Sequence, residues 1–263
     1  MNNYDNIILK NKYFLEDHDK FSIFYKIKKS SHKTFFSDGE NYILGYNDVA
    51  YPIWIWTKND LDYSKINEIE KILKKVSMSS NNNTFICKKE LYNFLKNDIK
   101  SITNILEMNF FRCDTLKKIK KSPGFLSNLN YSDKTVVAKF WQEYSKEMAY
   151  QEELTYQESL EEVSNWLDND LYFVWRNQEG KAVSLGSYSI DNNIGKISHI
   201  YTPKELREKG YCQSLVYEIT KKILDNGLIP TLYTDANYPK SNYIYKKIGY
   251  KEKGKLIKFK IEL

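Results

Sequence analysis

Between a β-branched stretch and an apolar-periodic one, the chain reads Ile200-Tyr201-Thr202-Pro203-Lys204-Glu205-Leu206-Arg207-Glu208-Lys209-Gly210-Tyr211-Cys212. The first part predicts a strand. The short polar loop after it predicts a tight turn, and Leu215, Val216, Ile219 and Ile223 predict a helix starting where the loop ends. First-turn amides have no intrahelical partner, and the helix dipole adds partial positive charge at the same end. Such an arrangement suits a diphosphate held by backbone donors, with Arg207 and Lys209 adding side-chain charge. An ordinary strand-loop-helix connection fits the same residues when they are read alone, because many surface helices follow a charged turn.

A second tract changes the balance. Thr234-Asp235-Ala236-Asn237-Tyr238-Pro239-Lys240-Ser241-Asn242-Tyr243-Ile244-Tyr245-Lys246-Lys247-Ile248-Gly249-Tyr250 places a capping serine at a helix start and a glycine at its end. Arg207-x-x-Gly210-x-Cys212 resembles the Arg/Gln-x-x-Gly-x-Gly/Ala signature of the GNAT superfamily of acyl-CoA-dependent N-acetyltransferases. The later tract resembles that family's Asn-Pro-x-Ser-Asn-x-Ile-Tyr-x-x-Ile-Gly-Tyr helix. The two motifs occur in the family's order, and the resemblance covers residues 122–263.

The resemblance implies a GNAT fold of the mixed α/β class, with a mixed sheet splayed between its fourth and fifth strands and helices on both faces. It implies acetyl-CoA as cosubstrate, no metal, and direct attack by a primary amine of a small molecule or peptide. Ile200, Tyr201 and Thr202 would run beside the pantetheine, with N–H groups of Glu208, Lys209, Gly210, Tyr211, Cys212, Gln213 and Ser214 around the pyrophosphate. Ser241 would cap the later helix, Asn242 would contact the cofactor, and Gly249 would end the helix as a left-handed residue. Tyr238 stands where the family often has Asn. Tyr245 is the candidate general acid for the departing thiolate; packing beside Ile244 and Ile248 is its bland alternative.

Three departures from the family pattern bear on chemistry. Glu208 replaces a usual glycine, and a carboxylate beside phosphate is unfavourable unless it points outward. Cys212 replaces Gly or Ala and reads as a buried structural thiol rather than a nucleophile. Lys196 stands where some members carry a glutamate base. Ser198 and His199 lie nearby, on opposite faces of a regular strand. His199 has a suitable reference pKa, although a lone strand histidine is more often structural. A water chain, Glu147, Glu152 or Glu153 are alternatives.

Composition bounds these readings. A chain of 263 residues, 41% hydrophobic and 28% charged, is long enough for one large domain or two ordinary ones and is not of disordered type. No apolar run is long enough to cross a bilayer, and Met1-Asn2-Asn3-Tyr4-Asp5 lacks a signal-peptide pattern; the expectation is a cytoplasmic protein without a membrane partner. Cys87, Cys113 and Cys212 are odd in number, widely spaced and free of any CxxC, so reduced thiols are expected. The net charge of +6 is densest at Lys117-Lys118-Ile119-Lys120-Lys121. Solvated linker lysines explain that cluster, and a polyphosphate cofactor would welcome the same field, so no nucleic-acid partner is expected. Oligomeric state is left open.

Stepping along the chain, residues 1–36 are mixed, with a short helix or strand around Phe21–Tyr25. Tyr42–Tyr46 and Ala50–Thr57 flank the turn pair Asn47-Asp48 and predict a hairpin, with Pro52 favouring an edge or bulge. Asn59 or Asp60 would cap a helix striped by Ile66, Ile69, Ile72, Leu73 and Val76, followed by a loop at 77–83, a strand at 84–87 and a helix at 88–95. This smaller α/β domain, 1–121, also resembles a degenerate GNAT half. Ser122-Pro123-Gly124 marks the boundary with 122–263. There Asp133 would cap a first helix and Thr155 or Gln157 a second, ahead of strands at 171–175, 182–190 and 194–202. After the phosphate loop and its helix come a strand at 231–234, a helix and a terminal strand at 255–261. A non-catalytic acyl-CoA-binding module is the competing functional class.

Overall fold

The computed structural model describes residues 10–47, 51–80, 83–148 and 152–262. These divide into two compact units, one of Met1–Phe110 with Thr234–Asn237 and Lys253–Leu263, the other of Phe111–Tyr233 with Tyr238–Glu252. The chain order begins α1 (Lys12–Asp17), α2 (Ile23–Lys29), β1 (Thr34–Ser37), β2 (Tyr42–Tyr46), β3 (Ile53–Thr57), α3 (Tyr63–Ser80), β4 (Thr84–Lys88), α4 (Lys89–Asp98) and β5 (Ile102–Arg112). It continues β6 (Phe125–Asn128), α5 (Lys134–Glu147), α6 (Tyr156–Trp166), β7 (Tyr172–Arg176), β8 (Ala182–Asp191) and β9 (Ile194–Tyr201). It ends α7 (Tyr211–Asp225), β10 (Ile229–Asp235), α8 (Pro239–Ile248) and β11 (Lys251–Ile261).

In the first unit the strand order is β1-β2-β3-β4-β11-β5. The expected hairpin is present, pairing Tyr42 with Thr57 and Gly45 with Trp54, while Asp48 and Ala50 of its turn lie outside the described residues. β3 pairs on both sides, so Pro52 marks neither an edge nor a bulge; it stands just before the strand, where its missing N–H costs no ladder bond. Asp62, rather than Asn59 or Asp60, caps α3 by accepting the Ser64 N–H at 3.0 Å. The helix runs on through Ser80, shortening the expected loop, of which Asn81 and Asn82 lie outside the described residues. Its stripe is as the period requires: Ile66, Ile69, Leu73 and Val76 are buried against Phe85, Leu91 and Phe259. The terminal strand joins this unit by antiparallel pairing of Leu256–Lys260 with β4.

In the second unit the order is β10-β9-β8-β7-β6, antiparallel throughout except for the parallel pair β9–β10. Alternation along β7 supplies both faces: Phe173 and Trp175 pack with Leu215, Val216 and Ile219 of α7, and Val174 packs with Trp141 of α5 and Val163 of α6. Thr155 opens α6 with a reciprocal capping box to Glu158. Asp133 does not cap α5. Its buried carboxylate instead takes Arg176 at 2.8 and 3.0 Å and the Asn130 N–H at 3.1 Å, tying the start of the helix to β7.

Candidate functional site

The site is built on an irregularity in β9. Leu185 pairs with Tyr201 and Ser187 with Ser198, so three steps along β9 face two along β8. The extra residue makes a bulge in which His199 takes φ +56°. The expected alternation of Ser198 and His199 therefore fails. Ser187 Oγ lies 3.2 Å from Ser198 Oγ and 2.7 Å from His199 Nδ1, and Ser198 Oγ is 3.0 Å from the same nitrogen. The imidazole centroid lies 5.1 Å from Trp141, 5.2 Å from Trp166 and 5.5 Å from Tyr172. This housing withholds water from a charged ring, and Lys196 adds repulsion, lowering His199 to about 4.

A pH dependence of stability follows. The unfolded chain protonates His199 near its ordinary 6.5, the folded chain only near 4, so the unfolded state binds more protons between these values. Stability present above pH 6.5 is therefore lost as the pH falls towards 4. Urea unfolding across that window should show the loss, and His199→Gln should flatten it; an equally steep slope in the variant would refute the assignment.

Beyond the bulge the sheet opens. β9 and β10 pair from Ile194–Ile229 to Ile197–Leu232, after which β9 runs on to Tyr201 and the two strands part. Ser184 Oγ holds this end, donating to the Tyr201 carbonyl at 3.0 Å and lying 2.7 Å from Thr202 Oγ1. The Thr202 carbonyl accepts Arg207 Nε at 2.8 Å.

The loop then turns through two left-handed residues, Glu208 at φ +65° and Gly210 at +77°. Gly210 is the N-cap of α7, and no side chain caps it. The first intrahelical bond is Ser214 N–H to the Gly210 carbonyl at 3.0 Å. Among the described residues, the amides of Gly210, Tyr211, Cys212 and Gln213 donate to nothing. Glu208 points outward, exposed and 3.3 Å from the equally exposed Lys240, which removes its carboxylate from those amides. Burial pushes the Cys212 thiol up to about 12, so it is a protonated thiol rather than a nucleophile. Ser214 is fully buried: its hydroxyl donates to the Gly210 carbonyl at 2.9 Å and accepts the Ser122 N–H at 2.8 Å. Ser122 Oγ in turn donates to the Lys209 carbonyl at 2.8 Å.

The later tract forms α8 with Pro239 in its first turn. Tyr238, not Ser241, is the N-cap, and its carbonyl accepts Asn242 Nδ2 at 3.1 Å; proline at the first helical position sets the start ahead of the one a Ser241 cap requires. Gly249 ends the helix at φ +126°, wider than a left-handed residue, with its N–H bonded to the Tyr245 carbonyl. Tyr245 is 7% exposed, its ring between Phe111 and Tyr250 at 6.2 and 6.1 Å.

Comparisons with known proteins agree with this fold. Residues 178–257, spanning β8 to β11, match the family described as FR47-like protein. A GNAT-family acetyltransferase from Colwellia psychrerythraea superposes with a TM-score of 0.61 at 12% identity, covering 94% of this chain and 97% of that one. A GCN5-related N-acetyltransferase from Kribbella flavida gives 0.63 at 10% identity, covering 97% of each. One from Sphaerobacter thermophilus gives 0.57 at 11%, covering 86% and 82%. The chain has the GNAT fold. No curated protein matches the sequence.

In this GNAT fold the loop arginine is engaged by protein. Arg207 Nη2 lies 2.9 and 2.8 Å from the two Glu147 oxygens, and Tyr201 O–H donates to Glu147 at 2.8 Å with Glu143 at 3.2 Å. Burial and then the Glu147 bond raise Tyr201. Glu147 is thus a tie between α5 and the loop, while Glu152 and Glu153 are exposed. No spacing or motif marks Ser122, Ser187 or the Trp141, Trp166 and Tyr172 rings as site residues; the Ser-Pro-Gly run announces only a boundary. Among the described residues, no group of three or more His, Cys, Asp or Glu could hold a metal ion, and no helix is long and apolar enough to cross a membrane. Cys87, Cys113 and Cys212 are free.

Proposed function

We propose that the protein is an N-acetyltransferase moving an acetyl group from acetyl-CoA to a primary amine by direct attack, carried by the domain 122–263. The observation that carries this reading is the row of unengaged amides at the start of α7, beside strands that part at the end of β9. Four converging N–H groups and the helix dipole suit a diphosphate, and Glu208 is turned away from them. Ile200, Tyr201 and Thr202 would run beside the pantetheine, and Tyr245 would protonate the departing thiolate. Arg207 would act first on protein, by bracing Thr202 and Glu147, and Asn242 would hold the start of α8 below the cofactor.

Acetyl-CoA at a hundred times its dissociation constant should raise the unfolding free energy by about 2.7 kcal/mol, read as a shift in melting temperature. No shift at millimolar ligand would remove the proposal. The alternative of an acyl-CoA-binding module without turnover draws on one observation, that Lys196 occupies the place of a carboxylate base. A melting shift without thiol release across a panel of amines would favour it over transfer.

A further inference from the structure

We infer that Ser122 is a positioning residue for the cosubstrate: its hydroxyl, by holding the Lys209 carbonyl, turns the Gly210 N–H towards the diphosphate and keeps the carbonyl oxygen off it. This rests on the acetyl-CoA binding proposed above. Ser122 stands 87 positions before Lys209 and outside residues 178–257. Neither the loop's own residues nor the matched family region contains it.

The loop between β9 and α7 is held from outside at both ends. At its start, Arg207 is bonded to the Thr202 carbonyl and to Glu147. At its end the loop has little of its own to hold it. Gly210 has no side chain and no side-chain cap, and the Glu208–Lys240 pair, 3.3 Å long and exposed on both sides, is too solvated to fix a backbone. The segment before β6 supplies the missing hold. Lys121 Nζ lies 2.8 Å from Glu218 Oε1, Ser122 N–H donates to Ser214 Oγ at 2.8 Å, and Ser122 Oγ donates to the Lys209 carbonyl at 2.8 Å. Ser214 and Glu218 are one turn apart on α7, so the first two bonds lay the segment along one face of that helix. The third reaches past the helix to the loop.

That third bond sets the direction of an amide. A planar trans peptide points its C=O and its N–H in opposite directions, so a Lys209 carbonyl drawn to Ser122 leaves the Gly210 N–H facing away from Ser122. Glycine alone would not enforce this. Turning the 209–210 peptide over changes ψ of Lys209 and φ of Gly210, and a glycine takes φ of either sign about equally well, although here it stands at +77°. The overturned peptide would aim an oxygen, with its partial negative charge, at an anion. The next peptide has no such freedom, because the Gly210 carbonyl accepts both the Ser214 N–H at 3.0 Å and the Ser214 hydroxyl at 2.9 Å. Of the two peptides flanking Gly210, the later is fixed by α7 and the earlier by Ser122. A Cβ on Gly210 would stand 3.7 Å from the Ser122 Cβ, an ordinary contact. The glycine therefore supplies its φ rather than space, and the serine selects between the orientations that φ freedom allows.

The test titrates the full chain with acetyl-CoA and with S-acetylpantetheine, which ends before the diphosphate, taking dissociation constants by calorimetry and displacement. Ser122→Ala keeps the N–H to Ser214 and removes only the hydroxyl. It should weaken acetyl-CoA about tenfold, the upper end for one neutral hydrogen bond, and move S-acetylpantetheine by less than about twofold. Ser122→Thr restores a hydroxyl and should return acetyl-CoA to within about twofold of the parent protein. Glu218→Gln loosens the same segment without touching the Lys209 carbonyl, and its affinity should also stay within about twofold. The Gly210 amide proton gives a readout independent of affinity: saturating acetyl-CoA should move its resonance in the parent protein and leave it near its free position in Ser122→Ala. Unchanged affinity in Ser122→Ala, equal losses for both ligands, or an equal loss in Glu218→Gln overturns the inference and leaves acetyl-CoA binding standing. So does a Gly210 amide that acetyl-CoA fails to move in the parent protein. A parent protein that binds no acetyl-CoA overturns both.

Discussion

Gly124→Ala is expected to destabilise the second unit by about 3–5 kcal/mol, combining a positive-φ penalty with an overpacked contact. Gly124 has φ +133°, and a Cβ there would lie 2.1 Å from the Arg176 carbonyl oxygen and 2.7 Å from Trp175 Nε1. Neither neighbour can retreat cheaply. The Arg176 backbone is paired with Phe125, the residue that follows Gly124, in the β6–β7 ladder, and Trp175 is 1% exposed in the core. The loss is a large share of a typical domain stability of about 5–15 kcal/mol, so the urea midpoint should fall steeply. Two residues earlier, Ser122 bonds Ser214 and Lys209, so acetyl-CoA should also bind more weakly to the variant. A midpoint and an affinity matching the parent protein would show that the segment can shift without cost.

What was legible in the sequence was local. The stripes in α3 and α7, the Thr155 cap and the loop between β9 and α7 all follow from spacing within one element, and one element is what periodicity reports. The less legible features depend on residues far apart in the chain. Asp133 looked like a helix cap until Arg176 supplied a stronger partner. The eleven residues of β5 declare no period, because their burial pattern does not alternate cleanly. β1 and β6, four residues each, carry too few positions to declare a period.

The bulge at His199 is the clearest such case. Alternation is a property of an unbroken ladder, and a single extra residue facing β8 resets it. Nothing within Ser198-His199-Ile200 announces that insertion, since histidine is not a residue that advertises positive φ as glycine does. The same insertion gathers two hydroxyls and an imidazole at the place where β9 and β10 part. The loop between β9 and α7 was therefore visible from its own residues, whereas the grouping around His199 required the partner strand.

The second large effect expected is on turnover: Tyr245→Phe should lower kcat by about 10²–10⁴-fold, the range typical of a lost general acid. A phenol, with a reference pKa of about 10, can deliver a proton to a thiolate whose conjugate acid lies near 8.5. Phenylalanine keeps the ring between Phe111 and Tyr250, so folding and the KM for acetyl-CoA should change little. Tyr250 provides the control. It is buried 6.1 Å away, but its hydroxyl lies 2.8 Å from Thr220 Oγ1, and burial raises its pKa well above the ordinary value. A phenol held in that way is a poor proton donor to an outside group, so Tyr250→Phe should cost stability by removing one buried hydrogen bond, Thr220 keeping its own to the Val216 carbonyl, and spare kcat. Full turnover in Tyr245→Phe, or an equal loss in both variants, would reduce Tyr245 to core packing and return the thiolate's proton to solvent.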